Sequence, residues 1–144
     1  MTRIGFMSDL HLDSNQFGEF ERQALRQLLK EEGIDHLHIA GDLSNDLINI
    51  SLPFLETLKQ EIPLSFNLGN HDMLGLSEQE ISNYDFQVQQ FGRTKLVSFS
   101  GWYDYSFVPE KSKEEHLRTK TNFWFDRRLE RQLDDPSITA QTQS

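Results

Sequence analysis

The sequence contains no cysteine, which excludes disulfide scaffolds, thiolate zinc sites and cysteine nucleophiles. Long apolar runs are also missing, since no stretch approaches the roughly 18 apolar residues that read as a membrane span. The first residues, MTRIGFMSD, form only a short apolar patch that ends at an acid, so they do not resemble a signal peptide. We therefore predict a cytoplasmic protein that makes no membrane contact.

Basic residues are scarce as well. The chain has 14 Lys and Arg against 23 Asp and Glu, which gives a net charge of −9. Non-specific binding to nucleic acid is therefore disfavoured, because phosphate backbones attract basic surfaces. An enzyme that acts on phosphate esters is compatible with this charge, because bound divalent metals would reverse the local field. The length of 144 residues fits one domain over residues 1–144 with a single core.

The spacing of apolar residues predicts strands that alternate with helices. Strands are predicted over 3–9, 34–42, 62–70 and 94–102, and helices over 15–33, 49–61, 77–91 and 122–133. Ser77 and Glu80 form a capping-box signature at the start of the third helix. This order is typical of an α/β fold with a mainly parallel sheet and flanking helices.

Three polar motifs follow the carboxyl ends of predicted strands. They are SDLHLD over 8–13, AGDLSND over 40–46 and LGNHD over 68–72. In open α/β sheets the loops at this edge converge on one crevice, where ligands bind. Each motif alone is more typical of a turn or a helix cap. Their occurrence after three consecutive strands favours a shared site.

The converging side chains are oxygen and nitrogen donors without sulfur, namely Asp9, His11, Asp42, Asn70 and His71. Such a set suits Mn, Fe, Zn or Mg. Gly41 and Gly69 would allow the backbone to turn sharply and approach a ligand closely. The sequence therefore predicts a metal centre at the strand ends.

The three motifs resemble the first three signature motifs of the calcineurin-like metallophosphoesterases. The family pattern is D-x-H, then G-D-x-x-D or G-D-x-x-N, then G-N-H-D or G-N-H-E, each after a strand. The chain carries these motifs in the same order over about residues 1–100. The resemblance implies a four-layer α/β/β/α sandwich, of which the predicted elements make about half. It also implies a hydrolase that acts on a phosphate ester through two divalent metal ions.

The resemblance implies a role for each motif residue. Asp9 and His11 would bind the first metal, Asp42 would bridge both metals, and Asn70 would bind the second. His71 would face the scissile phosphate and stabilise or protonate the leaving oxygen.

Two further roles follow from the same resemblance. Asp72 would orient His71 by accepting a hydrogen bond from it. Asn45, the last position of its motif, would shape the loop rather than touch metal.

Later family motifs are absent from the sequence. No Gly-His-x-His pair occurs, and the only histidine after residue 72 is His116, in a charged segment that reads as a solvated helix face. His36 and His38 lie within a strand and are predicted to pack or form hydrogen bonds. The second metal site is therefore expected to be incomplete. We predict the N-terminal half of a metallophosphoesterase, shortened by cloning, proteolysis or gene truncation.

The leading hypothesis is a dinuclear phosphoesterase for phosphate mono- or diesters, with weak or absent activity in this shortened chain. The alternative is a non-catalytic remnant that binds a partner, or forms a homodimer, through an uncovered and apolar sheet face. In a third hypothesis a second chain supplies the missing ligands. The aromatic segment over 100–107 is interpreted as a packed loop, with Tyr103 and Tyr105 nearest the site.

Overall fold

The computed structural model describes residues 2–101, 109–123 and 128. Its elements are β1 Ile4–Met7, α1 Glu19–Glu31, β2 His36–Ala40, a π-helical segment Leu47–Ser51, α2 Leu52–Lys59, β3 Leu64–Asn67, α3 Glu78–Ser82, β4 Gln87–Phe91, β5 Thr94–Ser98 and α4 Lys113–Phe123. Tyr103 and Tyr105 lie outside the described residues, as does most of the helix predicted over 122–133.

The first three strands form a parallel sheet in the order β1-β2-β3. Side chains alternate across a strand, so Leu37 and Ile39 of β2 share one face with Phe66 of β3. This face belongs to the buried core, together with Leu29 of α1 and Leu55 of α2. The predicted mixed α/β fold, with a parallel sheet and helices, is therefore confirmed.

The predicted helix over 77–91 is wrong beyond its first turns. The capping box is present, since Ser77 accepts a hydrogen bond from the Glu80 backbone, but α3 ends at Ser82. Residues 87–91 instead form β4, which pairs antiparallel with β5 through a two-residue turn at Gly92. The predicted fourth strand exists, but it belongs to this separate hairpin and not to the parallel sheet.

The helix α4 begins before the predicted helix. Its N-terminus is capped by Ser112, which pairs with Glu115, and His116 lies on it, half-buried. Over the part of the chain that the structure describes, no helix combines the length and apolar character needed to cross a membrane.

The sheet face opposite the helices is more polar than predicted. His36 and His38 both point to the Ser65 hydroxyl, at 2.9 and 2.8 Å, and His38 Nε2 lies 3.1 Å from Asn67 Oδ1. The Phe91 ring from the hairpin covers His36 at 4.8 Å between ring centres. The predicted hydrogen-bonding role of the two histidines is confirmed. The expectation of an apolar open face is wrong, although Phe6 on this face is 63% exposed.

We expect this histidine pair to make folding stability depend on pH. Burial lowers the pKa of His36 and His38 below the ordinary value of a histidine. Below about pH 6.5 the unfolded chain then binds more protons than the folded chain, so stability falls as pH falls. Urea unfolding at about pH 7.5 and 5.5 should show a loss on the order of 1 kcal/mol.

The His36→Gln variant removes one of the two titrating groups, so it should lose part of this dependence. The matched His116→Gln variant leaves the buried pair intact and should keep it. An unfolding free energy that is equal at both pH values in the wild-type chain would contradict the prediction.

Candidate metal centre

Backbone hydrogen bonds continue the pairing of β1 and β2 into the loops that follow them. Asp9 donates its backbone N–H to Gly41 at 3.1 Å, and His11 donates to Asp42 at 3.0 Å. Leu12 donates to Leu43 at 2.7 Å. The motif at 8–13 therefore lies directly beside the motif at 40–46, as the sequence predicts.

Two glycines allow the second and third loops to come close. A Cβ atom at Gly41, whose φ is +77°, would lie 2.6 Å from the Gly69 backbone nitrogen. A Cβ atom at Gly69 would overlap the Asp42 carboxylate. Any larger residue at either position would separate the loops, because these neighbours are backbone or site atoms.

Three of the predicted site residues have strained backbone conformations. Asp9, His11 and Asp42 have φ values of 58°, 42° and 56°, which lie in the left-handed region that few residues other than glycine adopt. Such strain costs on the order of 1–3 kcal/mol per residue and clusters at functional sites. The surrounding hydrogen bonds hold these side chains where an ordinary loop would not.

Asp72 is fully buried and joins the second and third loops. Its carboxylate accepts backbone N–H groups of Asp42 at 2.7 Å, Leu43 at 2.9 Å, Ser44 at 3.2 Å and Gly69 at 2.9 Å. Burial raises the pKa of this carboxyl, while the backbone N–H groups of Gly69, Ser44 and Asp42 oppose the rise. The predicted role of Asp72 as the acceptor for His71 is therefore corrected: its oxygens hold the backbone that carries the site.

His71 is instead held by Asn45. Its Nδ1 atom lies 2.8 Å from Asn45 Oδ1, and its backbone N–H donates to Asp42 Oδ1 at 3.1 Å. Asn45 in turn donates its Nδ2 to Asp13 Oδ2 at 2.8 Å and its backbone N–H to the same oxygen at 3.1 Å. Asn45 thus contacts the predicted catalytic residue as well as shaping its loop.

The sequence motifs predict no function for Asp13. Its position could have indicated a role in the site, because Asp13 lies four residues after Asp9 and at the same sheet edge as Asn45. Partial burial raises the pKa of Asp13, but hydrogen bonds from Asn45 and Ser14 outweigh this effect and lower the pKa below its usual value.

The donor atoms of His11, Asp42 and His71 all lie within 4.8 Å of one another. The two rings meet edge to face, with 4.7 Å between their centres. Atoms that bind one zinc-sized ion at about 2.1 Å stand no more than about 4.2 Å apart, so a small closure would let this group hold a divalent ion. Nitrogen and carboxylate donors of this kind fit the predicted metals.

Asp9 lies beside this group. One of its carboxylate oxygens is 4.0 Å from His11 Nε2, and its side chain is 65% exposed. Asn70 is half-buried in the third loop, between Gly69 and His71. The geometry thus keeps His71 among the candidate donors, whereas the resemblance places it opposite the phosphate. The individual ligand roles stay predictions.

Comparison with known proteins identifies the family. A search of curated proteins finds no match. The family model for calcineurin-like phosphoesterases matches residues 2–139, which extends well past the three motifs. The chain therefore belongs to the calcineurin-like phosphoesterase family.

Proposed function

We propose that this chain is a metal-dependent hydrolase of phosphate mono- or diesters, with a dinuclear centre where its three motif loops meet. The observation that carries the proposal is the convergence of His11, Asp42 and His71, whose donor atoms lie within 4.8 Å of one another. Membership of the calcineurin-like phosphoesterase family supports phosphate esters as the substrate class.

Asp9, His11 and Asp42 would hold the first divalent ion, and Asp42 with Asn70 would hold the second. Mn, Fe, Zn and Mg all suit these donors. Bound ions supply charge neutralisation for the phosphate and make a water molecule more acidic. With two protein donors, the second position would bind its ion more weakly than the first.

His71 would transfer a proton to the leaving oxygen. Its Nδ1 atom is engaged by Asn45, so Nε2 is the ring nitrogen that would carry the proton to the substrate. A positioned acid of this kind contributes about 10²- to 10⁴-fold to a reaction rate. Asp72 would contribute indirectly, by fixing the backbone of the loops that carry Asp42 and His71.

The test is hydrolysis of p-nitrophenyl phosphate and bis-p-nitrophenyl phosphate by the full chain with added Mn²⁺. We expect slow hydrolysis that a chelator abolishes. His71→Asn should reduce the rate by about 100-fold or to background, whereas His116→Asn, on α4, should leave it unchanged. Failure to hydrolyse either ester with Mn²⁺, Fe²⁺, Zn²⁺ or Mg²⁺ would contradict the proposal.

A second candidate is a non-catalytic protein that binds a partner or a second copy through the sheet face opposite the helices. The exposed ring of Phe6 favours it, whereas His36, His38 and Ser65 on this face are already buried and hydrogen-bonded to one another, which counts against it. Light scattering during size exclusion separates the two, since a monomer at high concentration argues against self-association.

A single partial domain over 1–144 and a cytoplasmic location also stay predictions.

A further inference from the structure

We infer that Asp13 is a positioning residue that sets the tautomer of His71 through Asn45. The hydrogen-bonded chain runs from the Asp13 carboxylate to the Asn45 amide and on to the His71 ring. The effect on proton transfer rests on the proposed function, but the tautomer itself can be observed without any activity.

The backbone fixes the polarity of this chain at its first link. Asp13 Oδ2 receives the backbone N–H of Asn45 at 3.1 Å, and a backbone N–H can only donate. The same oxygen meets the end of the Asn45 side chain at 2.8 Å. Because Asp13 Oδ2 is an acceptor, the Asn45 side-chain atom that faces it must be a donor. Asp13 therefore selects the amide orientation in which Asn45 Nδ2 faces it.

The orientation of the amide then decides which ring nitrogen of His71 carries hydrogen. With Nδ2 turned to Asp13, Oδ1 faces His71 Nδ1 at 2.8 Å. An amide oxygen only accepts, so a neutral His71 must hold its hydrogen on Nδ1. The reversed amide would place oxygen against the Asp13 carboxylate, which is repulsive. Asp13 thereby leaves Nε2 as the basic nitrogen of the neutral ring.

Nitrogen-15 spectra of the histidine side chains test this inference on the full chain without added metal. His71→Gln identifies the His71 signals, and the other four of the five histidines serve as internal references. In alkaline buffer, where the ring is neutral, the wild-type His71 should be mainly the Nδ1–H tautomer. In Asp13→Ala the amide is no longer oriented, so the spectrum should shift towards the Nε2–H tautomer.

Two variants distinguish the hydrogen-bond acceptor at position 13 from its negative charge and from a general effect on the stability of the loops. Asp13→Asn keeps an oxygen that can accept the Asn45 backbone N–H, so it should retain the wild-type tautomer. Asp46→Ala removes a nearby carboxylate that accepts from Asn49 instead, so it should leave the His71 signals unchanged. A wild-type ring in the Nε2–H form, or a folded Asp13→Ala chain with unchanged His71 signals, would overturn the inference.

Kinetics provide a second readout where the chain hydrolyses an ester. Asp13→Ala should lower kcat by about 10- to 100-fold, the range observed when an outer contact of a metal-site residue is lost. KM should stay nearly unchanged. Asp13→Asn should restore kcat. Absence of hydrolysis in the wild-type chain would count against the proposed function, and the tautomer result would still decide the role of Asp13.

Discussion

Asp72→Ala should destabilise the chain more than any other single change in the site. The substitution leaves four backbone N–H groups, on Asp42, Leu43, Ser44 and Gly69, without their acceptor. Each buried donor that loses its acceptor costs about 1–3 kcal/mol, so the loss of all four hydrogen bonds together should be large. Since a domain is stable by only about 5–15 kcal/mol, a large part of the folding free energy should disappear.

Thermal unfolding followed by circular dichroism measures this effect. We expect the Tm to fall by on the order of 10 °C. Asp46→Ala is the matched control, because it removes a carboxylate from the second loop, where the Asp46 side chain caps the π-helical segment by accepting the Asn49 backbone N–H. Loss of such a cap typically costs about 1 kcal/mol.

The same experiment distinguishes the two roles considered for Asp72. If its main task were to orient His71, Asp72→Ala would lower hydrolysis while the Tm stayed near that of the wild-type chain. That outcome would contradict the structural role, because the hydrogen bonds to the two loops would then contribute little to folding.

The positions of the motif loops could be predicted from sequence, but the partners of their side chains could not. The motifs at 8–13, 40–46 and 68–72 follow apolar strands, and parallel pairing brings strand ends to one edge. Which donors surround Asp72 depends on where the backbone of Asp42 and Gly69 passes in space. Sequence spacing does not contain this information. For the same reason it does not predict the contact between Asn45 and His71.

The wrong prediction of a helix over 77–91 has a different cause. From α3 onward, apolar residues recur at spacings of three and four, a helical pattern formed by Ile81, Tyr84, Val88 and Phe91. Residues 87–91 contain only two apolar side chains, Val88 and Phe91, and such short segments are ambiguous between helix and strand. Antiparallel pairing of Val88 with Val97 decides in favour of the strand. Tertiary pairing of this kind outweighs local propensity.

Asp42→Asn should abolish metal binding while the fold is kept. The variant side chain has nearly the same shape, and its amide oxygen can still accept the His71 backbone N–H that Asp42 Oδ1 accepts at 3.1 Å. It lacks the negative charge with which Asp42 would hold a divalent ion next to His11. Titration calorimetry with Mn²⁺ should therefore show a dissociation constant raised by about 100-fold or more, since even outer contacts of a metal ligand contribute about 10- to 100-fold.

Asp46→Asn provides the charge-matched control for this measurement. It removes the same negative charge from the same loop, so any general electrostatic attraction of cations falls equally in both variants. Thermal unfolding with Mn²⁺ gives a second readout, because an ion at 100 times its dissociation constant stabilises the folded chain by about 2.7 kcal/mol. The wild-type chain and Asp46→Asn should show this shift, and Asp42→Asn should not. Equal Mn²⁺ binding by all three proteins would refute Asp42 as a ligand, because a general attraction to the acidic surface would then account for it.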